Sequence, residues 1–136
     1  MKSNASMPSS FIIPQLPYSS VAEAAAWLER AFGFTVRVTI ANHRIQMNAA
    51  GGHVVLTHAE EPRSKCSVMV RVEDVYAHHA RVIAAGAGDK VVAPPQSHPY
   101  GERQYTVIDC GGHAWTFSQS LENVAPESWG GVSGRL

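Results

Sequence analysis

The sequence predicts an α+β fold made of two similar βαβββ modules, and two observations carry this prediction. Helical spacing of apolar residues gives way to alternation with a period of two after Gly33, and the same change recurs in the second half of the chain. Short segments also recur: Ser20-Val21 corresponds to Asp74-Val75, and Gly51-Gly52-His53 corresponds to Gly111-Gly112-His113. A repeat of this length indicates two units that pack around a pseudo-two-fold axis.

The first module is predicted to span residues 11–59, after a loose arm of small polar residues at 1–10. The segment FIIPQLPY predicts a short strand whose prolines favour a sheet edge. A helix follows, in which Ser20 is the N-cap, Glu23 completes a capping box and Gly33 ends the helix. The segments FTVRVTI, RIQM and HVVLTH alternate with a period of two and predict three further strands.

The second module is predicted to span residues 66–119, after the linker EEPRSK. SVMVRV predicts a strand, and either Glu73 or Asp74 can cap a helix over 75–85 that ends at Gly86. VVA predicts a second strand, followed by the proline-rich loop PPQSHPYG. RQYTVID and HAWTFS predict two strands joined by a Cys-Gly-Gly hairpin turn, so Gly-Gly-His is interpreted as a turn used twice.

Composition excludes several classes of partner. The 136 residues carry a formal net charge of zero and a pI near 7.1, which provides no basic surface for nucleic acid or for an anionic membrane. No apolar run is long enough to cross a bilayer. The two cysteines, Cys66 and Cys110, match no zinc or redox spacing, and free thiols indicate a cytoplasmic protein. Residues 120–136 form a Gly- and Ser-rich tail in which Trp129 is the one bulky anchor.

The stretch YGERQYTVIDCGGHAWTFSQ carries the most specific motif in the chain. Its Tyr-Gly-x-Arg start, Asp109, Gly112-His113 and final aromatic strand resemble the vicinal oxygen chelate superfamily, which comprises glyoxalases, dioxygenases and bleomycin resistance proteins. The likeness covers residues 11–119 and is nearest to the bleomycin-resistance-like group, although Cys110 stands where proline is usual. It implies paired modules whose mixed sheets curl into a cup, and a homodimer.

The resemblance also identifies where a divalent metal would bind. Metal-dependent members of the superfamily take His, Gln or Glu ligands from the first and last strands of each module. The corresponding positions hold Ile13, Thr57, Ser67 and Thr116. None of these side chains is an imidazole, amide or carboxylate donor, so we predict no metal, no other cofactor and no catalytic residue. A shift of the alignment brings in Gln15 and His58 as fallback ligands, without a partner from the second module.

The remaining prediction is a binding site inside the cup. Alternate residues counted from the ligand positions, together with aromatic and basic residues near the proline-rich loop, provide apolar walls and hydrogen-bonding groups. The predicted ligand-binding residues are Gln15, Thr57, Ser67, Met69, Arg71, Tyr100, Arg103, Tyr105, Thr116 and Ser118. Arg71 could bind an anionic ligand group or form a salt bridge with Glu73.

The sequence therefore favours a metal-free protein that binds a small organic ligand, a drug or a metabolite, in the cup or in a dimer groove. Bleomycin-resistance-like members act by sequestering a drug, which requires a complementary surface and no chemistry. This interpretation leans against an enzyme. The alternative is a metal-dependent glyoxalase-like lyase, isomerase or dioxygenase.

Overall fold

A computed structural model describes residues 1–135 and contains two helices and eight strands. The elements run in the order β1 (Gln15–Tyr18), α1 (Val21–Phe32), β2 (Thr35–Ile40), β3 (Arg44–Ala49), β4 (Gly52–His58), β5 (Ser67–Arg71), α2 (Val75–Ala84), β6 (Gln96–Ser97), β7 (Glu102–Ile108) and β8 (Ala114–Ser120). Single 3₁₀ turns lie at Gly88–Lys90 and Pro126–Trp129. Neither helix is long and apolar enough to cross a membrane.

The two modules have the same topology, which confirms the predicted α+β repeat. The first sheet has the order β1-β4-β3-β2 and the second has the order β5-β8-β7-β6. In each sheet the first strand runs parallel to the last strand of its module, and the other pairs are antiparallel. Each sheet packs its apolar face against the helix of its own module. We call the opposite side of each sheet its outer face.

Both helices begin as the sequence predicts. The Ser20 hydroxyl accepts a hydrogen bond from the Glu23 amide at 3.3 Å, and the Asp74 carboxylate accepts one from the Ala77 amide at 3.1 Å. Helix α1 ends at Gly33, whose φ of +75° provides the left-handed conformation that closes the last turn.

The edge of the second sheet differs from the prediction for VVA. Val91 forms a single bridge to Val107, and the edge strand β6 lies at Gln96–Ser97, inside the stretch predicted to be a loop. Pro94 and Pro95 separate the two pairings. Because proline has no amide hydrogen, it cannot continue the ladder, so the edge strand is divided.

The two Gly-Gly-His segments form turns of different length. Ala49 pairs with Gly52, which leaves a two-residue turn before β4. In the second module the Asp109 amide donates to the His113 carbonyl at 2.8 Å, which leaves a three-residue turn before β8. A difference of one residue reverses the face on which the following side chains lie. His53 consequently lies on an outer face, whereas His113 is buried.

Buried polar groups join the two modules. The Asp109 carboxylate accepts hydrogen bonds from the Tyr18 hydroxyl at 2.5 Å, from the Trp115 indole at 2.9 Å and from the amides of Gly111 and His113. Burial and the adjacent carboxylate raise the pKa of Tyr18 far above its usual range, so this hydroxyl stays a donor. Asp109 is therefore the turn residue that its position before Cys-Gly-Gly indicates.

His113 makes the second connection between the modules. Its Nδ1 accepts from the Cys66 amide at 2.9 Å, so Nε2 carries the proton and donates to the Pro17 carbonyl at 2.8 Å. Above this junction, Trp115 packs against Phe32 and Phe34 within one core shared by both modules. The junction fixes the position of one sheet relative to the other.

Candidate functional site

The outer face of the second sheet brings most of the predicted binding residues together. The register pairs Met69 with Thr116, Thr116 with Thr106, and Ser118 with both Arg71 and Gln104, so these side chains lie on one side of the sheet. This outer face comprises Ser67, Met69, Arg71, Gln96, Glu102, Gln104, Thr106, Ile108, Ala114, Thr116, Ser118 and Ser120.

A row of hydrogen bonds crosses this face. The Tyr100 hydroxyl donates to Gln104 Oε1 at 3.0 Å, Gln104 Nε2 donates to Ser118 Oγ at 3.0 Å, and Ser118 Oγ donates to Glu102 Oε1 at 2.7 Å. Each group orients the next, because the Glu102 carboxylate can only accept and this makes Ser118, Gln104 and Tyr100 donors in turn. The row therefore presents a fixed polar pattern beside the sheet surface.

Charged groups occur at one end of this row. Hydrogen bonds from Ser120 and Ser118 lower the pKa of Glu102, and the positive charge of Arg71 acts in the same direction. Arg71 Nη1 donates to the Ser120 hydroxyl, and Arg71 has no ion pair among residues 1–135, with Glu73 or any other carboxylate. The face thus carries an ionised carboxylate and a guanidinium close together.

Aromatic side chains border the row. The His98 and Tyr100 rings stack with centroids 5.0 Å apart and planes within 2° of each other, and Trp129 lies 5.3 Å from Tyr100. The tail passes close to Gly101: a Cβ at this residue would lie 2.6 Å from the Glu122 carbonyl oxygen, and its φ is +81°. Only glycine fits there, which explains the glycine of the Tyr-Gly-x-Arg motif.

The same face is open to solvent along its β5 edge. Met69 lies on this edge strand and is 66% exposed, and Trp129 is 45% exposed. A hollow of about 320 Å³ is lined by Met69, Gln96, His98, Gln104 and neighbouring residues. A concave surface with apolar and aromatic walls and a few oriented polar groups is suited to binding a small organic molecule.

The centre of the outer face of the first sheet is covered instead. Gln46 and Val55 lie there and are 3% and 4% exposed, and the N-terminal arm contacts Gln46. The Ala5 carbonyl accepts from Arg37 Nη2 at 3.0 Å, and the Ser6 carbonyl accepts from Gln46 Nε2 at 2.8 Å. The arm thus makes specific contacts with the sheet.

Four of the predicted binding residues lie elsewhere. Gln15 and Thr57 are on the outer face of the first sheet. Arg103 and Tyr105 point to the helix side of the second sheet: Arg103 stacks over the Tyr76 ring at 4.6 Å, and Tyr105 is 3% exposed. The structure groups the other six, which are Ser67, Met69, Arg71, Tyr100, Thr116 and Ser118.

Sequence reasoning missed Glu102, Gln104, Ser120, His98 and Trp129. Pairing across the Cys-Gly-Gly turn places Thr106 opposite Thr116, so alternate residues of β7 on the outer face include Gln104 and not Tyr105. Counting residues across the hairpin could have found the residues of β7. No sequence signal identifies Trp129, because only the path of the tail brings it beside Tyr100.

The positions that would hold a metal contain unsuitable donors. Thr116 and Thr106 hydroxyls bond each other at 2.8 Å, and Thr57 Oγ1 lies 3.4 Å from the Leu16 carbonyl. The fallback residues Gln15 and His58 lie on opposite faces of the first sheet, because Gln15 pairs with Val55. Within residues 1–135, no group of three His, Cys, Asp or Glu side chains is placed to hold a metal ion. This donor set does not fit a divalent cation.

This chain is similar to proteins of one superfamily. The family model for the Glyoxalase/Bleomycin resistance protein/Dioxygenase superfamily matches residues 12–117. TioX from Micromonospora sp. ML1 is 33% identical, with a TM-score of 0.70 over 85% of this chain and 100% of TioX. A bleomycin resistance determinant encoded on transposon Tn5 is 18% identical, with a TM-score of 0.70 over 84% of this chain and 100% of that chain.

A lactoylglutathione lyase from Agrobacterium tumefaciens is 15% identical, with a TM-score of 0.67 over 82% of this chain and 94% of that chain. A search of functionally curated proteins found no match. The Tn5 resistance determinant and the lyase are below 25% identity and show the fold alone. The choice between binding and catalysis therefore depends on the residues of this chain.

Proposed function

Because the chain belongs to the Glyoxalase/Bleomycin resistance protein/Dioxygenase superfamily, we propose that it binds a small, planar organic molecule without a metal and without changing it chemically. The site is the outer face of the second sheet. One observation carries this proposal: the exposed Met69 and the aromatic group of His98, Tyr100 and Trp129 border a row of oriented hydrogen-bonding side chains.

The chemistry of the face supports binding over catalysis. The hydroxyl groups of Thr106 and Thr116 bond each other and that of Ser118 donates to Glu102, and no cysteine or lysine lies on this face. Glu102 has a lowered pKa, which makes it a weak base at neutral pH. With an isoleucine and three hydroxyl side chains at the family's metal-ligand positions, binding independent of a metal is the function that these residues support.

The ligand is inferred from shape and polarity. A planar aromatic portion would stack against Tyr100 and Trp129 and cover the Met69 thioether, and polar substituents would bond Gln104 and the Arg71–Glu102 end of the row. Sequestration of a drug is one use of such a site, and the structural likeness to a bleomycin resistance determinant is consistent with it. Because the chain has no net charge, we do not assign a cationic drug such as bleomycin.

We further propose a homodimer in the cytoplasm. Val92 is a large apolar residue that is 65% exposed beside the open sheet, and a second copy that covers it would leave Met69 to the ligand. The two free cysteines, Cys66 and Cys110, support a reducing compartment. Sedimentation velocity of the purified chain tests the dimer, and a single monomeric species at micromolar concentration would contradict it.

The experiment that tests the function is a titration of the purified chain with acridine, a planar heterocycle, followed by tryptophan fluorescence and by amide chemical shifts. We expect saturable quenching with shifts in β5, β7 and β8. Metal analysis of the same preparation should find no stoichiometric zinc, nickel, manganese or iron. A stoichiometric metal, or shifts confined to the first sheet, would overturn the proposal.

A further inference from the structure

A second concave region lies at the module junction, apart from the open sheet face. It is a cleft of about 820 Å³ between helix α1 and the turn that joins β7 to β8. Its wall includes Trp27 and Arg30 of α1, Lys65 of the linker, Lys90 of the 3₁₀ turn after α2, and the glycines of the β7–β8 turn. None of the aromatic residues of the proposed ligand site borders it.

Positive charge dominates this cleft. Arg30, Lys65 and Lys90 line it, and within residues 1–135 none of the three has a carboxylate within ion-pair distance. Lys65 Nζ donates to the Gly111 carbonyl at 2.9 Å, which holds its ammonium group at the rim. Three cations that converge on one concavity without an internal counterion favour an anionic occupant.

Acidic groups in the wall cancel this charge only in part. Glu23 is the exposed carboxylate of the lining, and the Asp109 carboxylate is buried, with its oxygens directed at donors inside the junction and not at a ligand in the cleft. Cys110 adds no negative charge at neutral pH, because burial and the adjacent Asp109 raise the pKa of its thiol to about 11. The lining therefore has three cations against one solvent-accessible carboxylate.

A fixed apolar surface lies beside these cations. The half-buried Trp27 indole packs edge-on against Phe32, with centroids 5.2 Å apart and planes at 83°, which fixes its orientation. Arg30 follows Trp27 by three positions on α1, so the guanidinium and the indole share one side of the helix. An aromatic ring that contacts the indole would carry its acidic substituents toward the cations.

The glycines of the turn give room to the two side chains beside them. A Cβ at Gly111 would lie 2.6 Å from the Tyr18 ring, and one at Gly112 would lie 3.0 Å from Lys65 Nζ at a φ of +84°. Any other residue would displace Tyr18 or the lysine. The two glycines thus keep the tyrosine in the junction and the ammonium group at the cleft.

We propose that this cleft is a second binding site, specific for a small aromatic molecule that carries two acidic groups. Its apolar ring contacts Trp27, one acidic group pairs with Arg30, and the other lies between Lys65 and Lys90. This inference is independent of the ligand site on the second sheet, because the two surfaces use different side chains.

The test uses naphthalene-2,6-dicarboxylate and its neutral analogue naphthalene-2,6-dimethanol, titrated into the full chain and followed by amide and indole chemical shifts. We expect the dicarboxylate to shift Gly111, Gly112 and the Trp27 indole, and its affinity to fall as salt rises. The diol should bind at least tenfold more weakly. No saturable binding of the dicarboxylate, or equal binding of the diol, would overturn the proposal.

Matched variants locate the site. Lys65→Ala combined with Lys90→Ala should weaken dicarboxylate binding at least tenfold, whereas Lys2→Ala combined with Arg63→Ala removes the same charge outside the cleft and should leave it unchanged. Lys65→Gln in combination with Lys90→Gln repeats the test if the alanine pair lowers stability. Trp129→Ala should have no effect on this binding. Equal affinity in both charge-matched pairs would contradict the assignment.

Discussion

The two sheets have the same strand order, but their outer faces differ in what lies over them. On the first sheet, the N-terminal arm contacts Gln46, which is 3% exposed. On the second sheet, Met69 is exposed, and Gln104, Thr106 and Thr116 line an open hollow. The repeated scaffold thus does not imply a repeated site, because a segment outside the repeat decides which face is accessible.

The histidines of the repeated turn show the same lesson at the level of register. His53 Nδ1 contacts the Ser10 hydroxyl of the arm at 2.6 Å, whereas His113 is enclosed in the module junction. One additional residue in the second turn accounts for this difference. The interpretation of Gly-Gly-His as one turn used twice was therefore wrong in register, although the repeat itself is real.

The largest loss of stability is expected at Asp109, whose carboxylate joins the two modules. Asp109→Asn replaces a carboxylate that accepts hydrogen bonds from both modules with an amide that turns donors toward donors. We expect the free energy of unfolding to fall by about 3 kcal/mol, measured by chemical denaturation. Asp89→Asn, at an exposed position, is the control. A loss below about 1 kcal/mol would show that the junction does not hold the modules together.

The next largest effect is expected from acid, because only the second module has a half-buried histidine on its helix. His78 on α2 packs against Phe117 and bonds the Tyr105 hydroxyl, whereas the corresponding position on α1 is Ala24. Burial lowers the pKa of His78 to about 4, and the positive charges of Arg81 and His79 add to this. Between pH 6.5 and about 4 the His78 imidazole therefore takes up a proton in the unfolded chain but stays neutral in the folded chain, because its usual pKa is about 6.5.

The contribution of neutral His78 to the free energy of unfolding is fully present above pH 6.5. It is lost as the pH falls toward 4 and does not change further below that pH. We expect stability to fall by on the order of 2 kcal/mol across this window, after a discount for partial exposure. His78→Gln should flatten this part of the stability profile, which denaturation at a series of pH values measures. An unchanged slope in the variant would assign the acid sensitivity to another group.

Removal of residues 1–10 tests whether the arm causes the difference between the faces. The truncated chain loses the contacts of Ser6 with Gln46 and the burial of Pro8, so we expect a loss of about 2 kcal/mol in the free energy of unfolding. Hydrogen exchange should accelerate in β3 and β4 and stay unchanged in β7 and β8. Equal acceleration in both sheets would mean that the arm stabilises the whole chain and not one face.

The smallest effect is expected on ligand affinity, when an exposed aromatic residue beside the second sheet is replaced and one in the first module serves as the control. Trp129→Ala should weaken acridine binding about tenfold, which is about 1.4 kcal/mol, because it removes the ring beside Tyr100. Phe11→Ala, at the exposed start of the first module, should leave the affinity unchanged. Chemical shift titrations measure both affinities. Equal weakening by the two variants would show that the ligand binds across both modules.

Much of the fold could be predicted because its signals are local. Ser20 and Asp74 cap the two helices, and the change from helical to alternating spacing after Gly33 identified the strands. The division of the edge strand around Pro94 was missed, since a strand of two residues has no periodicity to detect. For the site, alternation found Met69 and Thr116 but misplaced Tyr105, whose face depends on the length of a hairpin turn.

The sequence alone determined the repeat, the helix caps, the family and the lack of imidazole, amide or carboxylate groups at the family's metal positions, because each depends on residue type and spacing along the chain. Only the tertiary structure decided that the arm covers one sheet, that Trp129 lies beside Tyr100, and that three cations line one cleft. These contacts join segments that are distant in sequence and show no periodic pattern. These contacts form only after the core has packed, because packing of the core is what brings the arm, the tail and the linker next to the two modules.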